Sequence, residues 1–221
     1  MSENDLKNTY RDALKFSTTN ISDALDALGL PGGISGILPA FSCPKIFGPA
    51  VTVKMTAAGQ TPSKSHLGVN AIVSSKRGDI IIIDNGGRED VSCWGEILTH
   101  AAKNKGISGV VIDGAFRDID DIKLVGFPVY ARGVVPVTAR KRIMEMETNK
   151  MIQCGGVQVR PGDYVMADGS GVIVIPIEKI NNVLKKAEEL FNKEQAMIKE
   201  IKEGVPIDKV DKKYSYERMI D

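Results

Sequence analysis

Cysteine and histidine are scarce in this 221-residue chain, which limits the kinds of site that it can form. The three cysteines, Cys43, Cys93 and Cys154, are odd in number and widely spaced, so they indicate neither a disulfide framework nor a zinc knuckle. The two histidines, His66 and His100, do not have the spacing of metal ligands. We therefore expect reduced thiols and a cytoplasmic protein.

An excess of charge of either sign is also missing, and so is any long hydrophobic run. The formal net charge is +1, whereas proteins built around nucleic-acid phosphates normally carry a basic face. The run Arg140-Lys141-Arg142 is locally basic, but three adjacent charges more often form a solvated loop. No signal-peptide pattern opens the chain, and no apolar run approaches the roughly 20 residues that span a bilayer. We expect neither a nucleic-acid partner nor a membrane partner.

A glycine-rich nucleotide fingerprint of the G-x-G-x-x-G type is absent too, which argues against a methyltransferase. The composition is that of a globular protein, with 43% hydrophobic and 26% charged residues. The length suits one substantial core and is short for two ordinary domains. We therefore predict a single domain over residues 1–221.

Hydrophobic runs in the middle of the chain predict an α/β arrangement. Apolar strands at 50–55, 80–84 and 110–112 alternate with helical patterns. The four consecutive isoleucines at 80–83 show no alternation, which suits a strand covered on both faces. From 129 to 176, short β-rich runs are divided by glycine- and proline-containing turns, which predict a meander or a small barrel-like sheet.

Helical patterns occupy both ends of the chain. Residues 1–30 read as two helices, the second capped by Thr18 or Thr19 and ending at Gly29. Residues 177–203 form a long amphipathic pattern, and we expect the charged tail after Gly204 to be loosely held. The predicted fold is a layered α/β sandwich with a central β-sheet, a β-rich carboxyl-terminal half and a long carboxyl-terminal helix.

Segment 95–118 carries the polar residues that point to chemistry. Glu96 opens a predicted helix, and Arg117 and Asp118 follow the apolar strand after it. Twenty residues, 97 to 116, separate Glu96 from Arg117, and a compact α-β unit can bring such ends together. Carboxylates and an arginine at the ends of a helix and a strand are suited to hold a divalent metal and an anionic substrate.

Structural roles are open for each of these side chains. Arg117 could be a surface ion-pair partner, and Asp118 could cap the short helix that follows it. Glu96 is favoured in a first helical turn by the helix dipole, whatever its function. Cys93 lies close in sequence to Glu96, but a catalytic thiol needs a nearby base, so we expect a small buried hydrophobe there.

This pattern, in which an acidic residue is followed after twenty residues by an Arg-Asp pair, resembles the metal- and substrate-binding signature of the RraA-like family. Further blocks resemble that family in matching order, over roughly residues 17 to 178. They are SDAL at 22–25, GPAVTV at 48–53, GD at 78–79, FPVYARG at 127–133, CGGVQVRPGD at 154–163, AD at 167–168 and GV at 171–172. The family includes class II pyruvate aldolases that act on 4-hydroxy-4-methyl-2-oxoglutarate and 4-carboxy-4-hydroxy-2-oxoadipate. Glu96 stands where the best-described of these carry aspartate.

The resemblance implies a metal and its ligands. Asp118 is expected to bind Mg²⁺ or Mn²⁺ directly, with water filling most of the coordination sphere. Glu96 would act through a metal-bound water, and Asp121 could join through another water, although a solvated helix charge is its simpler role.

It also implies a substrate and a reaction. The backbone amides of Gly95, Glu96, Ile97 and Leu98 would contact the carboxylate of a small 2-oxo acid, and Arg117 would help to hold its enolate. The implied activity is retro-aldol cleavage of a short 4-hydroxy-2-oxo acid to pyruvate. The same enolate chemistry would allow decarboxylation of oxaloacetate.

Assembly is a further implication of the resemblance. The resemblance implies a homotrimer or a dimer of trimers, in which the carboxyl-terminal helix of a neighbouring subunit supplies an acidic residue to the active site. Among Glu188, Glu189 and Glu194 on that helix, we favour Glu194 by its position. The alternative, also found in the family, is a non-catalytic protein that regulates a ribonuclease.

Overall fold

A computed structural model describes residues 13–61 and 66–215 of the chain. The chain divides into two compact units. The larger unit is Gly33–Ile177, and the smaller joins the residues up to Gly32 with those from Glu178 onward. The single domain remains a prediction that this division does not test. The first of the two predicted amino-terminal helices lies outside the described residues.

The described strands all belong to the larger unit. They are β1 (Gly33–Ile34), β2 (Leu38–Pro39), β3 (Ile46–Ala57), β4 (Ile80–Ser92), β5 (Gly109–Phe116), β6 (Val129–Val134), β7 (Ile143–Thr148), β8 (Ile152–Cys154), β9 (Val157–Val159), β10 (Tyr164–Asp168) and β11 (Gly171–Ile175). The order in the main sheet is β1-β11-β10-β3-β4-β5-β6-β2, and β7 also pairs with β3. Strands β3 to β6 are mutually parallel, whereas the other pairings are antiparallel. Strands β8 and β9 form a separate hairpin.

The helices fall in both units. They are α1 (Thr18–Ala27), α2 (Val69–Ser74), α3 (Glu96–Lys105), α4 (Ile119–Val125), α5 (Ile180–Lys202), preceded by a 3₁₀ turn at Ile177–Lys179, and α6 (Ile207–Tyr214). Helices α2, α3 and α4 each connect two consecutive parallel strands. Parallel neighbours need such crossovers because a hairpin cannot join them. No helix within the described ranges combines the length and apolarity that a bilayer crossing requires.

Both faces of the parallel strands are buried, as the isoleucine run predicted. Ile80, Ile81, Ile82 and Ile83 are all completely buried. Because side chains alternate along a strand, Ile81 and Ile83 enter one core cluster and Ile80 and Ile82 enter another. At roughly 1.5–3 kcal/mol for each buried large aliphatic side chain, this run alone is a major source of stability.

The smaller unit consists of α1, α5 and α6. Ser17 caps α1 in a capping box with Asn20, so the predicted cap at Thr18 or Thr19 was wrong by one or two residues. Helix α5 buries the predicted apolar stripe, including Val183, Ala187 and Leu190. The segment after Gly204 was expected to be loose, but 207–214 forms α6.

The structure confirms the predicted α/β class, with a central sheet and a long carboxyl-terminal helix. One detail was wrong. The carboxyl-terminal β-rich region does not form its own meander, because β7 and β10 both pair with β3 and join the main sheet. Strand β4 is also longer than the isoleucine run, because it continues irregularly to Ser92 while remaining paired with β5.

Candidate active site

The start of α3 and the end of β5 are joined by backbone hydrogen bonds. Cys93 N–H donates to the Ala115 carbonyl over 3.0 Å, and Arg117 N–H donates to the Trp94 carbonyl over 3.1 Å. These two bonds extend the irregular pairing of β4 with β5 to the residues that follow the two strands. As predicted from the sequence, the two ends of this α-β unit therefore meet.

Asp118 makes the most informative contact at this junction. Its Oδ2 accepts a hydrogen bond from the backbone N–H of Glu96 over 3.0 Å. Asp118 also stands at the start of α4, but its side chain makes no capping bond there. The alternative in which Asp118 caps its own helix is therefore wrong, since the carboxylate is turned toward the amino terminus of α3.

Backbone strain accompanies this orientation. Asp118 has φ 62° and ψ 37°, the left-handed conformation that non-glycine residues seldom adopt. Residues held in such conformations cost roughly 1–3 kcal/mol and cluster at functional sites. The surrounding bonds thus hold Asp118 in a conformation that aims its carboxylate at α3.

Gly95 permits the close approach of Asp118 to the helix. A Cβ added at Gly95 would lie 2.6 Å from Asp118 Oδ2 and 3.3 Å from Arg117 Nε. The φ of Gly95 is −165°, which any residue can adopt, so space rather than backbone conformation favours glycine here. A larger residue would have to displace the carboxylate.

The amino terminus of α3 offers donors for an anion. The N–H groups of a first helical turn lack partners within the helix, and the N-cap residue of α3, Gly95, offers no side chain to accept from them. Glu96 N–H is engaged by Asp118, which leaves the N–H groups of Ile97 and Leu98 for a ligand. The helix start is held by Trp94 Nε1, which donates to Thr99 Oγ1 over 2.8 Å, while Thr99 Oγ1 donates to the Gly95 carbonyl over 3.1 Å.

Arg117 lies at the same place with much of its hydrogen-bonding capacity unused. Its Nε is 3.4 Å from Asp118 Oδ2, and its side chain is 36% exposed. The two terminal nitrogens have no partner within 13–61 and 66–215. A guanidinium held through Nε presents these nitrogens as a planar fork for a carboxylate or keto oxygen.

A cavity of about 470 Å³ joins these groups. Its lining includes Glu96, Arg117 and Asp118, together with the α3 residues Ile97 and Leu98. The cavity is also lined by residues that the sequence analysis missed as site residues: His66, Leu67, Trp94, Arg140, Lys141 and Met144. Local sequence gave no signal that the Arg140-Lys141 run would face this cavity. The left-handed backbone of Lys141, with φ 62°, becomes apparent only in the structure.

The other residues considered in the sequence analysis differ in their exposure and in whether they line this cavity. Glu96 is about half-exposed, and its Oε1 is 3.6 Å from His100 Nε2. Asp121 is exposed and does not line the cavity. Cys93 lines it but is completely buried, and burial raises the pKa of its thiol to about 12. A thiol that stays protonated at neutral pH is unsuited to act as a nucleophile.

The donor set fits a hydrated divalent cation better than an all-protein metal cage. Within the described ranges, no group of three or more His, Cys, Asp and Glu side chains could hold a metal ion. Asp118 presents Oδ1 without a partner in the described chain, and Glu96 lines the same cavity. Mg²⁺ commonly takes one or two carboxylates and keeps several waters. One carboxylate with an unpartnered oxygen and a second carboxylate that lines the same cavity match that pattern.

Glu194 lies in the smaller unit, on α5. Its Oε2 accepts a hydrogen bond from Asn20 Nδ2 over 2.8 Å. Burial, together with the nearby Asp23 carboxylate, raises the pKa of Glu194 above its usual value. Its predicted entry into a neighbouring subunit's site remains a prediction.

The sequence of this chain is similar to the sequences of several known proteins. The model of the RraA-like family, described as Aldolase/RraA, matches residues 18–174. Protein DlpA of Legionella pneumophila is 31% identical over 213 residues, which are 96% of this chain but only 35% of DlpA. The chain thus corresponds to about a third of that longer relative.

Two further relatives match over most of both chains. A Halalkalibacterium halodurans protein named "putative 4-hydroxy-4-methyl-2-oxoglutarate aldolase" is 39% identical over 189 residues, covering 85% of this chain and 86% of that protein. The crystal structure of an uncharacterized protein from Pseudomonas syringae pv. tomato superposes with a TM-score of 0.84 at 31% identity. The superposition covers 92% of this chain and 96% of the Pseudomonas chain.

Proposed function

The chain belongs to the RraA-like family, and from that premise we propose that it is a divalent-metal-dependent lyase that releases pyruvate from a short 4-hydroxy-2-oxo acid. The observation that carries the proposal is the convergence of Asp118, Arg117 and the open amino terminus of α3 on one cavity. The aldolase name of a relative at 39% identity supports the same reaction class.

Substrate binding is assigned to the helix start and the arginine. The N–H groups of Ile97 and Leu98 receive the 1-carboxylate, because a helix amino terminus favours anions. The fork of Arg117 faces the 2-oxo oxygen. Asp118 would hold Mg²⁺ or Mn²⁺, with Glu96 acting on the ion through water. When bound, the ion supplies Lewis-acid polarisation of the 2-oxo group.

Cleavage then follows from charge and proton movement. The C3–C4 bond breaks, and its electron pair forms the C2–C3 double bond of the pyruvate enolate. Arg117 stabilises the negative charge that develops on the 2-oxo oxygen. The 4-hydroxyl loses its proton to a water hydrogen-bonded to Glu96, and C4 becomes the carbonyl carbon of the second product. A proton returned to C3 completes pyruvate. Oxaloacetate would form the same enolate by losing CO₂.

Pyruvate release from a substrate panel tests the proposal. The purified protein is incubated with several 4-hydroxy-2-oxo acids and with oxaloacetate, with and without Mg²⁺ or Mn²⁺, and pyruvate is followed by a coupled assay. Metal-dependent release from at least one 4-hydroxy-2-oxo acid is expected. Release from none would overturn the aldolase proposal and would favour the ribonuclease-regulator alternative.

Gly95→Ala is expected to lower turnover by at least about tenfold while leaving the fold intact. The added Cβ would lie 2.6 Å from Asp118 Oδ2, so the carboxylate must shift, and small misplacements in an active site can cost about 100-fold. Gly169→Ala is the matched control, because a Cβ there meets nothing within 4 Å. Equal kcat values for the two variants would contradict the close-approach argument.

We also propose that the active site is shared within a homotrimer or a dimer of trimers, with Glu194 supplied by a neighbouring subunit. In a closed ring, each subunit buries two different patches of its surface against its two neighbours. Asp118→Ala and Glu194→Ala are each expected to be inactive alone. After subunit exchange, mixing them should restore part of the activity, because some sites then draw each intact residue from a different chain.

The control for this experiment is a mixture of Asp118→Ala with Arg117→Lys. Both changes affect neighbouring residues of the same chain, so exchange creates no intact site and activity should not return. A fully active monomer, or proven exchange without complementation by Glu194→Ala, would contradict the shared site.

A further inference from the structure

Four charged side chains cross the parallel strands at one level of the sheet. Lys54 of β3 pairs in register with Asp84 of β4, and Asp84 pairs with Asp113 of β5. Arg132 of β6 completes the series, with its Nε donating to Asp113 Oδ1. These four residues, here called the charged row, carry two positive and two negative charges.

The charged row lies on the face of the sheet opposite to the core around Trp94. Side chains two residues apart on a strand share a face. The residues two positions before the members of the charged row are all buried, and they are Thr52, Ile82, Val111 and Tyr130. Ile82, Val111 and Tyr130 belong to one core cluster, whereas Trp94 and Phe116, beside the candidate active site, belong to the other.

The Asp84 carboxylate is fully supplied with donors. Its Oδ1 accepts from Gly86 N–H over 3.0 Å. Its Oδ2 accepts from Lys54 Nζ and from Gln153 N–H, the latter over 3.3 Å. With its side chain only 3% exposed, this buried charge has the partners that burial requires.

The Asp113 carboxylate is supplied in the same way. Oδ1 accepts from Arg132 Nε, and Oδ2 accepts from Gly155 N–H over 2.8 Å. Its side chain is 8% exposed. All four carboxylate oxygens of the charged row therefore have donors, and neither carboxylate calls for a further cation.

The two cations, by contrast, have donors to spare. Arg132 uses Nε, and its two terminal nitrogens have no partner within the part of the chain that the structure describes. Lys54 gives one of its three donors to Asp84. Their side chains are 24% and 40% exposed, so these spare donors are not sealed in the core.

Both cations line one cavity of about 350 Å³. Two glycine pairs also line it, Gly86–Gly87 and Gly155–Gly156. Glycine lets a ligand approach the backbone closely because no Cβ intervenes. The cavity lies where consecutive parallel strands approach their carboxyl ends, the region in which α/β sheets commonly bind ligands.

We propose that this cavity is a second ligand site, which binds a small oxyanion, either a carboxylate or a phosphate, between the Arg132 fork and the Lys54 ammonium. Asp84 and Asp113 hold the two cations in position, and the surplus of donors selects an acceptor-rich ligand. The site is separate from the candidate active site and requires no turnover there, so it does not depend on the proposed function.

Isothermal titration calorimetry with inorganic phosphate and with acetate tests this site. Arg132→Lys keeps a charge beside Asp113 but removes the fork, and should weaken binding of the preferred anion by roughly tenfold or more. Lys54→Met should weaken binding by a similar factor. It should also fold, because Asp84 keeps the N–H donors of Gly86 and Gln153.

Two controls locate the binding. Arg160→Lys makes the same substitution at an arginine that also pairs with a buried aspartate, Asp163, but lies outside this cavity. It should bind the anion within about twofold of wild type, because it leaves both cations of the charged row in place. Arg117→Gln should retain the anion binding that Arg132→Lys loses, because Arg117 does not line this cavity.

The affinities for the two anions decide whether the site exists and which anion it prefers. For the binding that Arg132→Lys and Lys54→Met weaken, a higher affinity for phosphate assigns the site to phosphates, and a higher affinity for acetate assigns it to carboxylates. The proposal is overturned if wild type binds neither anion at millimolar concentrations, or if folded Arg132→Lys and Lys54→Met both bind as wild type does. In either case the charged row serves only to anchor the β8–β9 hairpin.

Discussion

Asp118→Ala should abolish pyruvate release while leaving the protein folded. The carboxylate would hold the divalent ion of the proposed reaction, and an alanine offers no ligand. EDTA should likewise abolish the turnover of the wild type, and Mg²⁺ or Mn²⁺ should restore it. The measurement is the coupled pyruvate assay with a substrate that the panel has identified, run beside thermal unfolding of both proteins.

The fold should survive this substitution because the lost interactions are few. Asp118 contributes one hydrogen bond to the start of α3, and losing such a bond at a helix start costs about 0.5–2 kcal/mol. That is well below the roughly 5–15 kcal/mol by which domains are stable. Full activity in EDTA, or in the folded variant, would rule out the metal role of Asp118.

Arg117→Lys should lower kcat by about 100- to 1000-fold, the usual cost of losing a donor that stabilises transition-state charge. Lysine keeps the positive charge but lacks the planar fork that would face the 2-oxo oxygen. The free terminal nitrogens of Arg117 at the cavity are the structural basis of this expectation.

Arg88→Lys is the matched control for Arg117→Lys. Arg88 also pairs with a nearby aspartate, Asp90, and its side chain has the same exposed fraction of 36%. It does not line the 470 Å³ cavity, so its replacement should leave kcat within about twofold, as is usual for surface ion pairs. If both variants remain within a few-fold of wild type, Arg117 is only a surface charge.

The alternating strands and helices of the core could be predicted because their signals are local. The run Ile80–Ile83 has no polar alternation, and it became a strand covered on both faces. Gly106 stands in the sequence between a helical pattern and an apolar run, which is a local signal for a helix end, and in the structure it ends α3 in a left-handed conformation. Each of these features depends on a few consecutive residues.

Features that depend on distant pairing could not be predicted. The pattern of 164–167 indicates a strand, but nothing in it specifies that β10 pairs with β3, more than a hundred residues earlier. The site shows the same limit. The spacing of Glu96 and Asp118 in the sequence predicted that they lie close together, but it did not predict the contact between them. The bond from Glu96 N–H to Asp118 Oδ2 depends on the left-handed backbone at position 118, which the aspartate side chain does not encode.

That left-handed backbone also sets two evolutionary pressures against each other. Glycine adopts φ 62° without a steric penalty. At position 118 it would relieve strain of roughly 1–3 kcal/mol, which at the middle of the two ranges exceeds the hydrogen bond of about 0.5–2 kcal/mol that it would remove, and it would then favour heat resistance. Function, on the proposed mechanism, requires the carboxylate. A mutant library selected only for survival at high temperature would drift toward glycine there and lose catalysis, whereas a library selected for turnover would retain the strained aspartate.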